Sequence, residues 1–332
     1  METQDGADLC FPQLPNISCK ENASFGSKRK LSQIILSLIS LLIVALNLLV
    51  IISVFHFRQL HTPTNILLLS LAVTDFLVGL LLMPFEILRL TSCWFLGDLT
   101  CILLDCMAYC ITSASVGIMV LISVERYIAI CDPLHYPTRV TVRTVKLCVC
   151  LCWVCSVCFN SFFVKDDLIN PGRHSSCYGE CVLDVDYTLG TVDLVITFII
   201  PVTVIGRVSQ IILYMGVFVV ALSHARAMRS HITSVTFHLS VTAAPKKSEL
   251  KAARNLGVLI VVFLTCFCPY YCAYFAGPFD QTSGYFAGYL FCFNSCINPV
   301  IYAMLYPWFR KAVKLIVTLQ ILKPGSSEAN IL

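Results

Sequence analysis

Charged residues are scarce in this chain. Aspartate, glutamate, lysine and arginine make up 13% of its 332 residues, against about a quarter in a soluble domain. That shortage excludes a water-facing globular surface. A net charge of only +4, gathered on the flanks of apolar segments, excludes a nucleic-acid-binding patch. Internal repeats are absent, which argues against a transporter or channel built from matching halves. Paired catalytic groups at one depth are also missing, because Asp75 has no plausible catalytic partner, so no catalytic residues are expected. No cleavable leader precedes the first apolar run, which is therefore expected to direct its own insertion.

What fills the space is apolar. Hydrophobic residues make up 58% of the chain, and they fall in runs long enough to cross a ~30 Å hydrocarbon core. Such runs cover 31–56, 63–90, 98–131, 142–165, 187–228, 250–277 and 283–306. The predicted fold class is an all-α integral membrane protein, a seven-transmembrane-helix bundle with a short amphipathic eighth helix. Between the runs, Arg58, Arg139, Arg143, Lys146, Arg226, Arg229, Lys246, Lys247, Lys251, Arg254, Arg310, Lys311 and Lys314 fall on one side. The positive-inside rule makes that side cytoplasmic and places the N-terminus outside. The expected organisation is an extracellular tail over 1–30, a bundle over 31–306, and an amphipathic helix with a short cytoplasmic tail over 307–332. Asn16 and Asn22 begin N-glycosylation sequons in the tail, in keeping with its outside location.

The few polar and helix-breaking residues inside the apolar runs are informative, because lipid tolerates them only where neighbouring helices or water satisfy them. Asp75 lies in the middle of the second run. Asn298 and Pro299 interrupt the seventh, Tyr302 follows one turn later, and Pro307-Trp308-Phe309 opens the amphipathic segment, which reads as a membrane-surface anchor. Pro269 should kink the sixth run. Cys148, Cys150, Cys152, Cys155 and Cys158 share the fourth run, where cysteine behaves as a small apolar residue rather than a metal ligand.

The stretch Asn298-Pro-Val-Ile-Tyr302 resembles the NPxxY motif of rhodopsin-type (class A) G-protein-coupled receptors. The longer pattern from Asn294 to Phe309 resembles the fingerprint of trace amine-associated receptors, in particular their fish-like, diamine- or polyamine-sensing branch. Glu125-Arg126-Tyr127 is similar to the family's DRY motif, with glutamate in place of aspartate. The likeness runs from Asn47 to Phe309. It implies a multi-pass plasma-membrane receptor in olfactory neurons, with an amine agonist, surrounding lipid and a stimulatory heterotrimeric G protein as partners, raising cyclic AMP. It implies no cofactor beyond an allosteric sodium ion held by Asp75, Ser115, Asn294, Ser295 and Asn298. Oxygen ligands of this kind suit a hard cation. It further implies a bridge between Cys101 and Cys181, and a second from Cys177 to the tail, with Cys19 the preferred partner and Cys10 the alternative. Arg126 is expected to pair with Glu125 and with Glu249 at the foot of the sixth span, and these residues form the expected activation switch together with Tyr127, Pro269, Pro299 and Tyr302. A light receptor would need a lysine in the seventh span, and none occurs over 281–306.

The chain also departs from that family pattern. Ala108 stands where amine receptors carry the aspartate that pairs with the ligand, and Cys292 stands where a tyrosine supports it. Phe267 replaces the usual tryptophan of the sixth span. Asp105, one turn nearer the outside, and Asp193, eight residues before Pro201, are the expected replacements, with Glu86 as a third acid. Tyr270 and Tyr271 could add cation–π contacts of roughly 0.5–2 kcal/mol. Unpartnered carboxylates are costly in a cavity, so several of them point to a ligand with more than one ammonium. The alternative is a class A receptor for a non-amine ligand. Residues 206–210 look like an insertion in the fifth span.

Overall fold

The computed structural model describes residues 9–19, 26–172, 175, 177–179, 181, 191–192, 195–207, 257–269 and 281–331. These form an all-helical bundle. The first span is Gly26–His56, and the second runs through Pro63–Leu77 and Met83–Thr91. The third is Asp98–Cys131 and the fourth Val142–Phe163. Of the fifth, 191–192 and 195–207 are described, all of them helical, and of the sixth Gly257–Pro269. The seventh is Gln281–Leu305, followed by an amphipathic helix Pro307–Val317. Four helices among the described residues are long and apolar enough to cross a membrane. Within the expected insertion, Gly206 and Arg207 continue the helix and are exposed, whereas 208–210 lie outside the described residues.

Local chemistry sets the helix starts. Thr62 caps the second span by accepting from the Asn65 N–H at 3.3 Å, with Pro63 supplying the first helical φ; Thr141 caps the fourth through the Thr144 N–H at 3.1 Å. Small residues then let helices approach, since helices in lipid associate by close packing rather than by hydrophobic expulsion. Ser40 donates to the Gly79 carbonyl at 2.7 Å, and a Cβ on Gly79 would lie 2.8 Å from Ile43 Cγ2. Gly117 makes the same accommodation for the Cys152 sulfur of the fourth span. Cys150, Cys155 and Cys158 are exposed on the outside of that helix, among outward Leu151, Val154 and Phe162.

The second span contains a π turn, Val78–Leu82, immediately before Pro84. Proline cannot donate to the carbonyl four residues back, and a widened turn absorbs the defect. One extra residue rotates the rest of the helix by roughly 100°, the share of one residue in a 3.6-residue turn. This rotation sets which way Glu86 and Arg89 face.

The core has two parts. The larger joins Phe57, Leu67, Leu71, Met119, Phe263, Phe267, Tyr302, Trp308 and Phe309. The smaller, toward the disulfide-bearing end, includes Leu36, Ile43, Leu82, Met83, Ile87 and Ile111. Trp308 and Phe309 are 7% and 3% exposed, so they anchor the amphipathic helix to the bundle. Arg310 strengthens that junction by donating to the Ala303 and Met304 carbonyls at 2.8 and 3.2 Å, satisfying acceptors that a helix end leaves open. Beyond it the tail folds back on the first inter-helix turn: His56 meets Ser326 at 3.0 Å, and Arg58 lies 3.8 Å from Glu328.

Candidate ligand site and signalling core

Pro299 determines the centre of the bundle. Without an N–H it leaves the Ser295 carbonyl with no helical donor, and Asn47 of the first span supplies one at 3.0 Å. One turn away in space, Asn298 donates to Asp75 Oδ2 at 2.8 Å, and the Ser295 hydroxyl also bonds Asp75. Asp75, Ser115, Asn294, Ser295 and Asn298 are all buried, at 1–6% exposure. Asn294 Oδ1 and the Tyr302 hydroxyl are buried and lack a hydrogen-bond partner among the described residues. A buried carboxylate with the Ser295 hydroxyl and the Asn298 amide beside it has the oxygen-donor chemistry that a small hard cation and its water take. Phe267, 1% exposed, stacks on Phe263 with ring centres 4.1 Å apart, so a packed aromatic occupies the position where the family carries tryptophan.

At the far end of the third span, Glu125 is 3% exposed and gathers three donors. Arg126 reaches it at 2.6 Å through Nη2, Thr64 donates at 3.0 Å, and the Tyr136 hydroxyl donates as well. Arg126 also donates to Thr64 Oγ1. Burial and the bond to Glu125 push the Tyr136 phenol from 10 to about 12, so it remains a donor at physiological pH. Thr64 and Tyr136 were not legible as members of this lock, because their motif neighbours say nothing about which helix lies opposite. Tyr127 is half-buried beside the pair. Glu249, the other expected partner of Arg126, lies outside the described residues.

The opposite end is tied by three disulfides. Cys101 pairs with Cys181 and Cys19 with Cys177, as the resemblance implied, and Cys10 pairs with Cys93 at the end of the second span. The open choice for Cys177 is thus resolved toward Cys19, and Cys10 has a partner that was not expected. Backbone bonds reinforce the staples: Tyr178 donates to the Ile17 carbonyl at 2.7 Å, Cys19 to Tyr178 at 3.0 Å, and Trp94 to Gly179 at 2.9 Å. Phe11 and Tyr178 meet edge to face at 4.9 Å. Asn16 is exposed on the tail; Asn22 lies outside the described residues. Cys101, Asp105 and Cys181 come within 4.8 Å of one another, but two of them share a disulfide and offer no thiolate to a metal.

Beside that bridge lies a charge cluster that corrects one expectation. Asp105 is not an unpartnered carboxylate. Arg89 donates to Glu86 Oε1 at 2.6 Å and to Asp105 Oδ1 at 3.3 Å, so a single guanidinium joins both acids. Arg89 stands three residues after Glu86 on the same helix face, a spacing that could have flagged it. Ala108 and Cys292 pack against the smaller apolar cluster together with Leu77 and Trp153, so the usual position of the amine-pairing aspartate is lined by carbon and sulfur. Asp193, Tyr270 and Tyr271 lie outside the described residues.

The model of the 7 transmembrane receptor (rhodopsin family) matches residues 46–302. The chain is 34% identical over 338 residues to Trace amine-associated receptor 13c of Danio rerio, covering 98% of this chain and 97% of that one. It is 36% identical over 339 residues to Trace amine-associated receptor 8a of Rattus norvegicus, covering 98% and 96%. Trace amine-associated receptor 6 of Pan troglodytes is 34% identical over 335 residues, covering 97% and 95%. The chain belongs to the trace amine-associated receptors. It is therefore a seven-span receptor of the plasma membrane, a signalling protein and not an enzyme, whose partners are a small-molecule agonist and a G protein.

Proposed function

We propose that this receptor senses amines, in particular diamines or polyamines, and passes the signal to a stimulatory G protein that raises cyclic AMP in olfactory neurons. The observation that carries the reading is the acidic cluster at the disulfide-bearing end. Glu86 and Asp105 share one guanidinium, which leaves one net negative charge on this cluster among the described residues. Asp193 in the fifth span adds a second carboxylate by sequence. A ligand with ammonium groups at both ends would meet one at each helix through charge-assisted hydrogen bonds. The names of the relatives associate them with trace amines, which agrees with this chemistry.

The reading extends to topology and modification. The disulfide-bearing end faces outside, residues 1–30 form an extracellular tail glycosylated at Asn16 and Asn22, and 307–332 lie on the cytoplasmic face. Asp75, Ser115, Asn294, Ser295 and Asn298 hold a sodium ion in the inactive packing.

Dose–response curves of cyclic AMP in transfected cells, for a matched panel of monoamines, diamines and polyamines, test the proposal. Diamines or polyamines should be the best agonists. Silence toward every amine, with normal surface display, would remove it in favour of a non-amine ligand. That second reading has its own support in the apolar lining at Ala108 and Cys292.

A further inference from the structure

We infer that Arg89 is an internal counter-ion that sets how many ammonium groups the disulfide-bearing end of the ligand site accepts. The inference rests on the amine reading above and adds to it a specificity residue outside the motifs. Arg89 donates to Glu86 at 2.6 Å and to Asp105 at 3.3 Å, with side-chain exposures of 36%, 40% and 17% for the three residues. Water and ligand can therefore reach the cluster, yet Asp105 is mostly enclosed. The sulfur of Cys101 lies 3.9 Å from the second oxygen of Asp105, so the disulfide closes the side that the guanidinium does not. The π turn at Val78–Leu82 orients the helix that carries Glu86 and Arg89.

The electrostatics follow from counting groups. Two carboxylates with one guanidinium hold one net negative charge, so one incoming ammonium balances the cluster. A second ammonium at this end meets an already neutral set and must displace Arg89 from one acid. Guanidinium is held by two hydrogen bonds in a fixed fork and cannot escape by losing its proton. Arg89 thus acts as a competitor of constant concentration for the same carboxylates that read the ligand. With Arg89 in place, a ligand carrying several charges has to find its further partner outside this cluster. Without Arg89, the cluster alone takes two.

The experiment compares the parent with Arg89→Gln and with Arg89→Gln/Asp105→Asn, using pentylamine, 1,5-diaminopentane and spermidine as agonists and normalising to surface receptor. Arg89→Gln should improve the potency of the multiply charged amines relative to pentylamine by roughly tenfold or more, one charge-assisted contact's worth. The double variant, which restores one net charge, should return the ratio to that of the parent. A ligand-free readout accompanies it: the Tm of detergent-purified receptor should fall in Arg89→Gln, recover in the double variant, and recover partly at high salt, because salt screens repulsion between exposed like charges. Loss of mere side-chain packing would lower Tm in both variants and ignore salt. An unchanged potency ratio in Arg89→Gln with amine responses intact overturns the role of Arg89 alone, as does a salt-independent Tm loss common to both variants. Silence of the parent toward all three amines overturns the amine reading and this inference with it.

Discussion

The side-chain amide of Asn47 donates at 3.0 Å to the carbonyl of Ser295, 248 residues away in sequence. That carbonyl is the one Pro299 leaves without a helical donor, so the first and seventh spans are joined where the seventh is weakest. Asn47 is fully buried, and no lipid group could take its place. Asn47→Ala should therefore cost about 1–3 kcal/mol, the penalty of a buried unserved acceptor. Thermal unfolding of detergent-purified receptor measures it. An unchanged Tm would mean that water already serves Ser295.

The Glu125 cluster predicts graded basal activity. Glu125→Gln removes the charge that holds Arg126 and should raise ligand-free nucleotide exchange on a purified G protein. Tyr136→Phe removes one of three donors and should raise it less. Glu249→Gln tests the partner expected on the sixth span in the same assay. If the Glu125 and Tyr136 variants match the parent per receptor, the cluster is packing rather than a lock.

The disulfides make a chemical and a functional prediction. Non-reducing peptide mapping should recover Cys10–Cys93, Cys19–Cys177 and Cys101–Cys181, and Cys101→Ala or Cys181→Ala should abolish surface display or signalling, because a native disulfide typically contributes 2–5 kcal/mol. Cys10→Ser/Cys93→Ser should leave display measurable while lowering Tm, since Cys19–Cys177 still ties the tail. Recovery of a Cys10–Cys177 peptide would reverse the pairing.

Gly79 tests the contact between the first and second spans. A side chain there meets Ile43 at 2.8 Å from its first carbon, and the Ser40 bond to the Gly79 carbonyl allows little separation. Gly79→Ala should already reduce folded yield and Gly79→Leu should reduce it further, as read by size-exclusion chromatography of extracted receptor. Equal yields would show that the helices can part.

Rebuilding the family's usual anchor is a gain-of-function test. Ala108→Asp alone buries a carboxylate beside an apolar cluster and should respond weakly, whereas Ala108→Asp/Cys292→Tyr adds a hydroxyl donor and should increase monoamine potency further. Identical potencies in the single and double variants would separate Cys292 from the ligand site.

Much of this receptor could be read along the chain. Runs such as 98–131 had to be spanning helices because only internally bonded backbone survives in hydrocarbon, and Asn298-Pro299 had to mark a break because proline lacks a donor wherever it stands. These are local properties, carried by residues close together in sequence. The tertiary structure decided what depends on which side chain lies opposite. The π turn before Pro84 rotates Glu86 and Arg89, and Arg89 reaches Asp105 from there, so an acid read as open has a partner. Cys10 found Cys93, and Thr64 and Tyr136 found Glu125, through helix packing that no spacing encodes. The amphipathic segment opened by Pro307-Trp308-Phe309 could be read as a membrane-surface anchor from the sequence. That Trp308 and Phe309 lie in the core was decided by the turn at Tyr306 and the grip of Arg310 on the last carbonyls of the seventh span.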